Sequence, residues 1–202
     1  MKRKKRGAAL ALLTALALLP VTIAAGPSTG PHILIAQAVT SQPRDTSDGE
    51  AFLGDLYTDP KNGFSIRMPA HWYLDKKNPH FALRLASQNP SYEAFIIIDV
   101  VQVPGPVRMD EEFQKFINQK NKEVKENIPG YQTFANRAAK VGNLFAYRTD
   151  ATFQAGPNKI LMSIYYVNGQ NKIFMITTIS PEASFRKWEP LFSASLSTFT
   201  LL

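Results

Sequence analysis

The chain has 202 residues, 45% hydrophobic and 19% charged, with 13 Phe, 7 Tyr and 2 Trp, which excludes a disordered chain too poor in apolar material to build a core. It contains no Cys, so disulfides, thiolate nucleophiles, iron–sulfur clusters, Cys-based zinc sites and the lipidated Cys of a lipoprotein are excluded together. The net charge of +7 is concentrated in Lys2, Arg3, Lys4, Lys5 and Arg6; from residue 39 onward eighteen basic residues face sixteen acidic ones, and nothing in that balance points to nucleic acid.

After the basic start, residues 7–25 form an uncharged Leu/Ala run of 19 residues ended by small side chains. This is the pattern of a secretory signal peptide. Cleavage sites follow Ala25 and Ala38, and the literal A-x-A of Ala36-Gln37-Ala38 favours Ala38, giving a signal over residues 1–38. Left uncleaved, the 7–25 segment is just long enough to anchor the protein in a bilayer. The expected location is therefore secreted or extracytoplasmic: periplasm, cell wall or thylakoid lumen. Residues 39–52 mix Pro, Gly, Ser and Asp and predict a flexible linker. The folded domain is expected over residues 53–202, a length that needs no covalent staples.

Turn residues divide that domain. Asp59-Pro60-Lys61-Asn62-Gly63 separates a strand over 55–58 from one over 64–69. A short strand is expected at Phe81–Ala86 and a longer, β-branched one at Glu93–Val103, stopped by Pro104-Gly105-Pro106. The period then changes: Phe113, Phe116, Ile117, Val124 and Ile128 recur at helical spacing and predict a helix over 110–127. Acidic residues in its first turn, lysines toward its end and Pro129-Gly130 beyond it suit the helix dipole and a C-terminal stop. Strands follow at 131–141, 144–154, 159–167 and 172–180, joined by short Gly/Asn turns that make neighbours antiparallel. In the 144–154 strand Arg148, Asp150 and Thr152 predict a wet face, whereas the next two strands are apolar on both faces and so need cover on both. The 110–128 helix supplies one cover. Phe185, Trp188, Phe192, Leu196 and Phe199 supply the other, as one kinked helix or two short ones meeting at Pro190. The fold class is thus α+β, an antiparallel β-sheet covered by helices on both faces.

The search for chemistry returns little. His71, Asp75 and His80 are the residues that could converge on a cation, but their spacing matches no standard site, and solvated loop histidines are the expected reading. No metal site, no cofactor site and no catalytic residues are expected. No G-x-S-x-G elbow and no phosphate-binding glycine loop occurs. Asp99 interrupts an apolar strand, so it must find a basic partner, sit at a sheet margin or mark a polar pocket. Trp72, Tyr165 and Tyr166 are read as core, and the Lys115–Lys125 run as a solvated helix face.

The opening stretch from Tyr57 to Trp72, with Gly63-Phe64-Ser65 and the Pro69-x-x-Trp72 ending, resembles the start of the PsbP-like family. The closing stretch is similar too: Asn168-Gly169, Lys172–Thr177, Trp188-Glu189-Pro190-Leu191-Phe192 and Ser197-Thr198-Phe199. The resemblance implies a PsbP-like α/β/α sandwich over residues 53–202, exported and non-enzymatic. Plant and cyanobacterial members are accessory subunits on the lumenal side of photosystem II, and many other bacterial members have no assigned role. The lipobox Cys of the cyanobacterial pattern is absent here. The function expected is a non-catalytic accessory or binding module, a monomer docking on a membrane-associated protein complex. The alternative is a carrier or sensor of a small apolar ligand held between the sheet and a helix.

Overall fold

The computed structural model describes residues 51–76, 80–87, 93–103, 105 and 111–202. The signal and residues 39–50 of the linker lie outside the described residues, as do Pro104, Pro106 and Asp110. No described helix is long and apolar enough to cross a membrane.

Strands β1 (Leu53–Asp59) and β2 (Phe64–Pro69) form an antiparallel hairpin. Its turn is fixed by Asp59, whose carboxylate accepts the Asn62 backbone N–H at 2.9 Å and the Asn62 side-chain amide at 2.7 Å. Gly63 supplies the positive φ of 73° that this turn requires. A second left-handed residue, His71 at φ 64°, turns the chain out of β2 into β3 (Trp72–Leu74). Strands β4 (Leu83–Ser87) and β5 (Phe95–Gln102) follow. Helix α1 (Glu111–Asn127) then leads to β6 (Gln132–Val141), β7 (Leu144–Ala155), β8 (Asn158–Asn168) and β9 (Lys172–Pro181). A 3-10 turn over Glu182–Ser184, helix α2 (Phe185–Ser197) and the two-residue β10 (Thr200–Leu201) complete the domain.

The expected single sheet is two. Seven strands form one antiparallel sheet in the order β3-β4-β5-β9-β8-β7-β6, and β1-β2-β10 form another. Strand β6 starts beyond α1 at the edge of the large sheet while β5 lies inside it, with β9, β8 and β7 between them. Alternation along β5 assigns its side chains to two cores. Phe95 and Ile97 join Phe113, Phe116, Ile117 and Val124 of α1 in one; Ile96 and Ile98 join Trp188, Phe192 and Leu196 of α2 in the other. That second core also contains Phe64 and Ile66 of β2 and Phe199, so strands as well as a helix close it. In that core Trp72 meets Trp188 edge-on at 5.8 Å and Phe192 at 5.9 Å.

Helix α2 is continuous, with Pro190 inside it. Pro190 and Arg186, whose carbonyl loses its donor, are both exposed residues, so the break lies on the solvent side of the helix. Ser195 Oγ donates to the Arg67 carbonyl at 2.6 Å, and Thr198 Oγ1 accepts the Arg67 N–H at 2.8 Å, bolting the end of α2 to β2. The β6–β7 turn is packed against the same end. A Cβ on Gly142 would lie 2.1 Å from the Phe199 carbonyl oxygen, so only glycine fits there.

Candidate functional site

His71, Asp75 and His80 do not assemble. His71 and His80 are exposed, Asp75 is buried, and Asp75 Oδ2 lies 3.1 Å from Arg84 Nη1 of β4. Among the described residues no three His, Asp or Glu side chains group in a way that could hold a metal ion. His71 serves the turn through its left-handed backbone.

Asp99 lies on the α1 side of β5. It accepts the Val100 backbone N–H at 2.8 Å and makes no ion pair within 4.0 Å among the described residues. Burial raises its pKa; the Val100 hydrogen bond and the Lys120 charge oppose the shift without cancelling it. Lys120 corrects the expectation of a wholly solvated lysine face: it is only 8% exposed, 2.8 Å from Glu123, with its ammonium 5.9 Å from the Phe116 ring centroid. Positions 113, 116, 117, 120 and 124 share one helical stripe, so the lysine at 120 lies along the buried side while Lys115, Lys122 and Lys125 are exposed. Tyr166 is core, its hydroxyl donating to Asn121 Oδ1 of α1 at 3.0 Å. Trp72 is core as well.

Tyr165 is different. It contributes to a cleft of about 650 Å³ between α2 and the β6–β9 half of the sheet. Arg148, Ser163, Tyr165 and Thr178 line it from the sheet, and Phe185, Glu189, Phe192 and Ser193 line it from α2. Cross-strand register puts Asp150 beside Ser163, Ser163 beside Thr178, and Arg148 beside Tyr165. Asp150 is 2% exposed, which corrects the expectation of a wet face on β7. Its carboxylate accepts Arg148 Nε at 2.6 Å, Ser163 Oγ at 2.6 Å and Arg137 Nη2 at 2.8 Å. Arg148 Nη2 also donates to Ser163 Oγ at 3.1 Å, and its guanidinium lies 5.1 Å from the Tyr165 ring centroid.

Burial raises the Tyr165 pKa, with Asp150 and Glu189 adding to the shift and Arg148 and Arg137 opposing it, so its hydroxyl stays protonated at neutral pH. Chemically the cleft offers a tyrosine, hydroxyl groups and an arginine beside aromatic walls. Behind Ser163 lies the Asp150 carboxylate, held by the Arg148 and Arg137 guanidinium groups, and no His is among the residues lining the cleft. The sequence signal for it was present in Arg148 and Asp150 two residues apart; what alternation alone lacks is the identity of the cover, α2.

No protein-family model matches the chain, and no curated protein matches it in sequence. Solved structures do match in fold. The solution structure of cyanobacterial PsbP (CyanoP) from a Synechocystis species aligns with a TM-score of 0.54 at 15% identity, covering 75% of this chain and 94% of that one. Mycobacterium tuberculosis LpqN, described as involved in cell envelope biogenesis, aligns at 0.52 and 12% identity, covering 68% and 82%. The Saccharomyces cerevisiae Ran-binding protein Mog1p aligns at 0.50 and 8% identity, covering 74% and 96%. At such identities the likeness is one of fold, and the fold is PsbP-like: mostly antiparallel sheet with two helices.

Proposed function

We propose that the chain is an exported, non-catalytic accessory module in which a signal peptide (1–38) and linker (39–52) precede a PsbP-like α/β/α domain (53–202) that docks, as a monomer, on a membrane-associated protein complex. The observation that carries the docking reading is strand β6. It is the edge of the large sheet, seven of its ten residues are exposed, and Phe134 upon it is 62% exposed. An open backbone edge with a projecting aromatic side chain is a means of engaging another polypeptide. The fold of CyanoP and of the Ran-binding protein Mog1p accords with a binding role.

Crosslinking and pull-down of the native protein from envelope tests it. Wild type captures a defined membrane-associated complex and Phe134→Asp loses it; equal capture by both removes β6 from the reading. N-terminal sequencing of exported material should read Val-Thr-Ser-Gln, and an intact basic N-terminus in the membrane fraction would support the anchored form instead.

A second reading, a small-ligand carrier, is favoured by the cleft under α2, whose volume lies within the range of small-molecule pockets.

A further inference from the structure

Away from that cleft, on the α1 side of the sheet, β4 carries a guanidinium that is buried and only partly bonded. Arg84 is 5% exposed. Its Nη1 meets Asp75 Oδ2 at 3.1 Å, and its Cζ stands 4.7 Å from the centroid of the Phe95 ring. Its Nε and Nη2 are buried and have no hydrogen-bond partner. These two nitrogens are not a random pair. They share the side-on edge of the guanidinium, whose parallel N–H groups match the two oxygens of a carboxylate. A charged donor left in this state is strongly disfavoured unless an acceptor reaches it.

The surroundings define the rest of the acceptor. Arg84 lies opposite Ile97 in the β4–β5 register, and Phe95 and Ile97 belong to the apolar core on this side. The guanidinium is therefore packed against hydrocarbon. The site lies close to the surface along the chain: Asp75 is buried, while the next residue, Lys76, is exposed. Strand β3, which delivers Asp75, is a three-residue edge strand, the kind of element that opens locally at little cost.

We propose that the Nε–Nη2 edge of Arg84 binds, side-on, the carboxylate of a small molecule with an apolar body, and that Asp75 holds the guanidinium in position for it. Asp75 occupies the remaining nitrogen, so the fork is oriented before a ligand arrives. The proposal is independent of the docking reading and uses neither β6 nor the cleft under α2.

The test uses octanoate, well below its micelle concentration, added to the full chain and followed by titration calorimetry and by the Arg Nε–H resonances. Wild type should bind one equivalent saturably, with the Arg84 Nε–H signal shifted. Arg84→Lys keeps the charge and loses the fork, and should weaken binding by about tenfold or more. Octanol, which lacks the carboxylate, should not bind, and acetate, which lacks the apolar body, should bind far more weakly. Failure of octanoate to bind, an unmoved Arg84 signal, equal binding by Arg84→Lys, or acetate as tight as octanoate would overturn the proposal. If Arg84→Lys does not fold, the wild-type resonance shift with octanoate against octanol decides alone.

Discussion

Two arginines stand on opposite faces of one sheet in almost the same dress. Arg148 of β7 lies over Tyr165 and Arg84 of β4 lies over Phe95, each bonded to an aspartate. The difference is the side-on edge of the guanidinium. In Arg148 that edge is filled, Nε by Asp150 and Nη2 by Ser163; in Arg84 it is buried without a hydrogen-bond partner. A charge whose side-on donors are satisfied within the fold is architecture. One with a matched pair of donors left over is equipped to bind something else.

Stability measurements sharpen that contrast. The largest expected effect comes from the cover on the Arg148 side: Trp188→Ala should cost about 3–5 kcal/mol and lower the melting temperature by roughly 6–20 °C. A wild-type melt combined with loss of a pulled-down partner would show Trp188 to be an exposed anchor instead. Next, Asp150→Ala strands Arg148 and Ser163 and should cost about 3 kcal/mol, the low end for a broken buried pair because Arg137 is half exposed. Asp75→Ala leaves the buried Arg84 charge without its ion pair and should cost a similar amount; a loss in chemical denaturation far below that of Asp150→Ala would show that Arg84 finds another acceptor.

A smaller effect, with a pH signature, belongs to Asp99. Its folded pKa is raised above the ordinary aspartate value, so between those two values the native state holds more protons than the unfolded one. Stability therefore falls as pH rises through that window, and the penalty is fully present above the folded pKa. Asp99→Asn should melt higher than wild type at pH 7, with the gain shrinking as pH falls toward 4. A gain that does not change with pH would rule out titration as its cause. Smallest of all, Lys122→Ser on the exposed side of α1 should shift stability by no more than about 0.5 kcal/mol.

Most strands were legible because their boundaries are written in turn chemistry and their faces in alternation, as at Asp59–Gly63 and along β5. The elements that escaped were short. Strand β3 has three residues and β10 has two, too few to display a period, and without β10 the second sheet could not be seen. Lys120 and Asp150 escaped for another reason. Their polarity argues for water, while their burial depends on what packs across from them, which is a tertiary fact. The candidate sites follow the same rule. His71, Asp75 and His80 stood out by residue type and do not converge, whereas Arg84 drew no notice because an arginine in a strand is ordinary until its nitrogens are traced.

The pairing of β10 with β2 also governs the order in which the domain can form. Ser65 Oγ and Thr200 Oγ1 meet at 2.8 Å across 135 residues of chain, while the β1–β2 hairpin needs only its own turn. The hairpin can appear in microseconds, but its third strand must wait for α2 to be seated and the intervening chain to be ordered. The small sheet is thus a clasp that ties the two ends of the domain together.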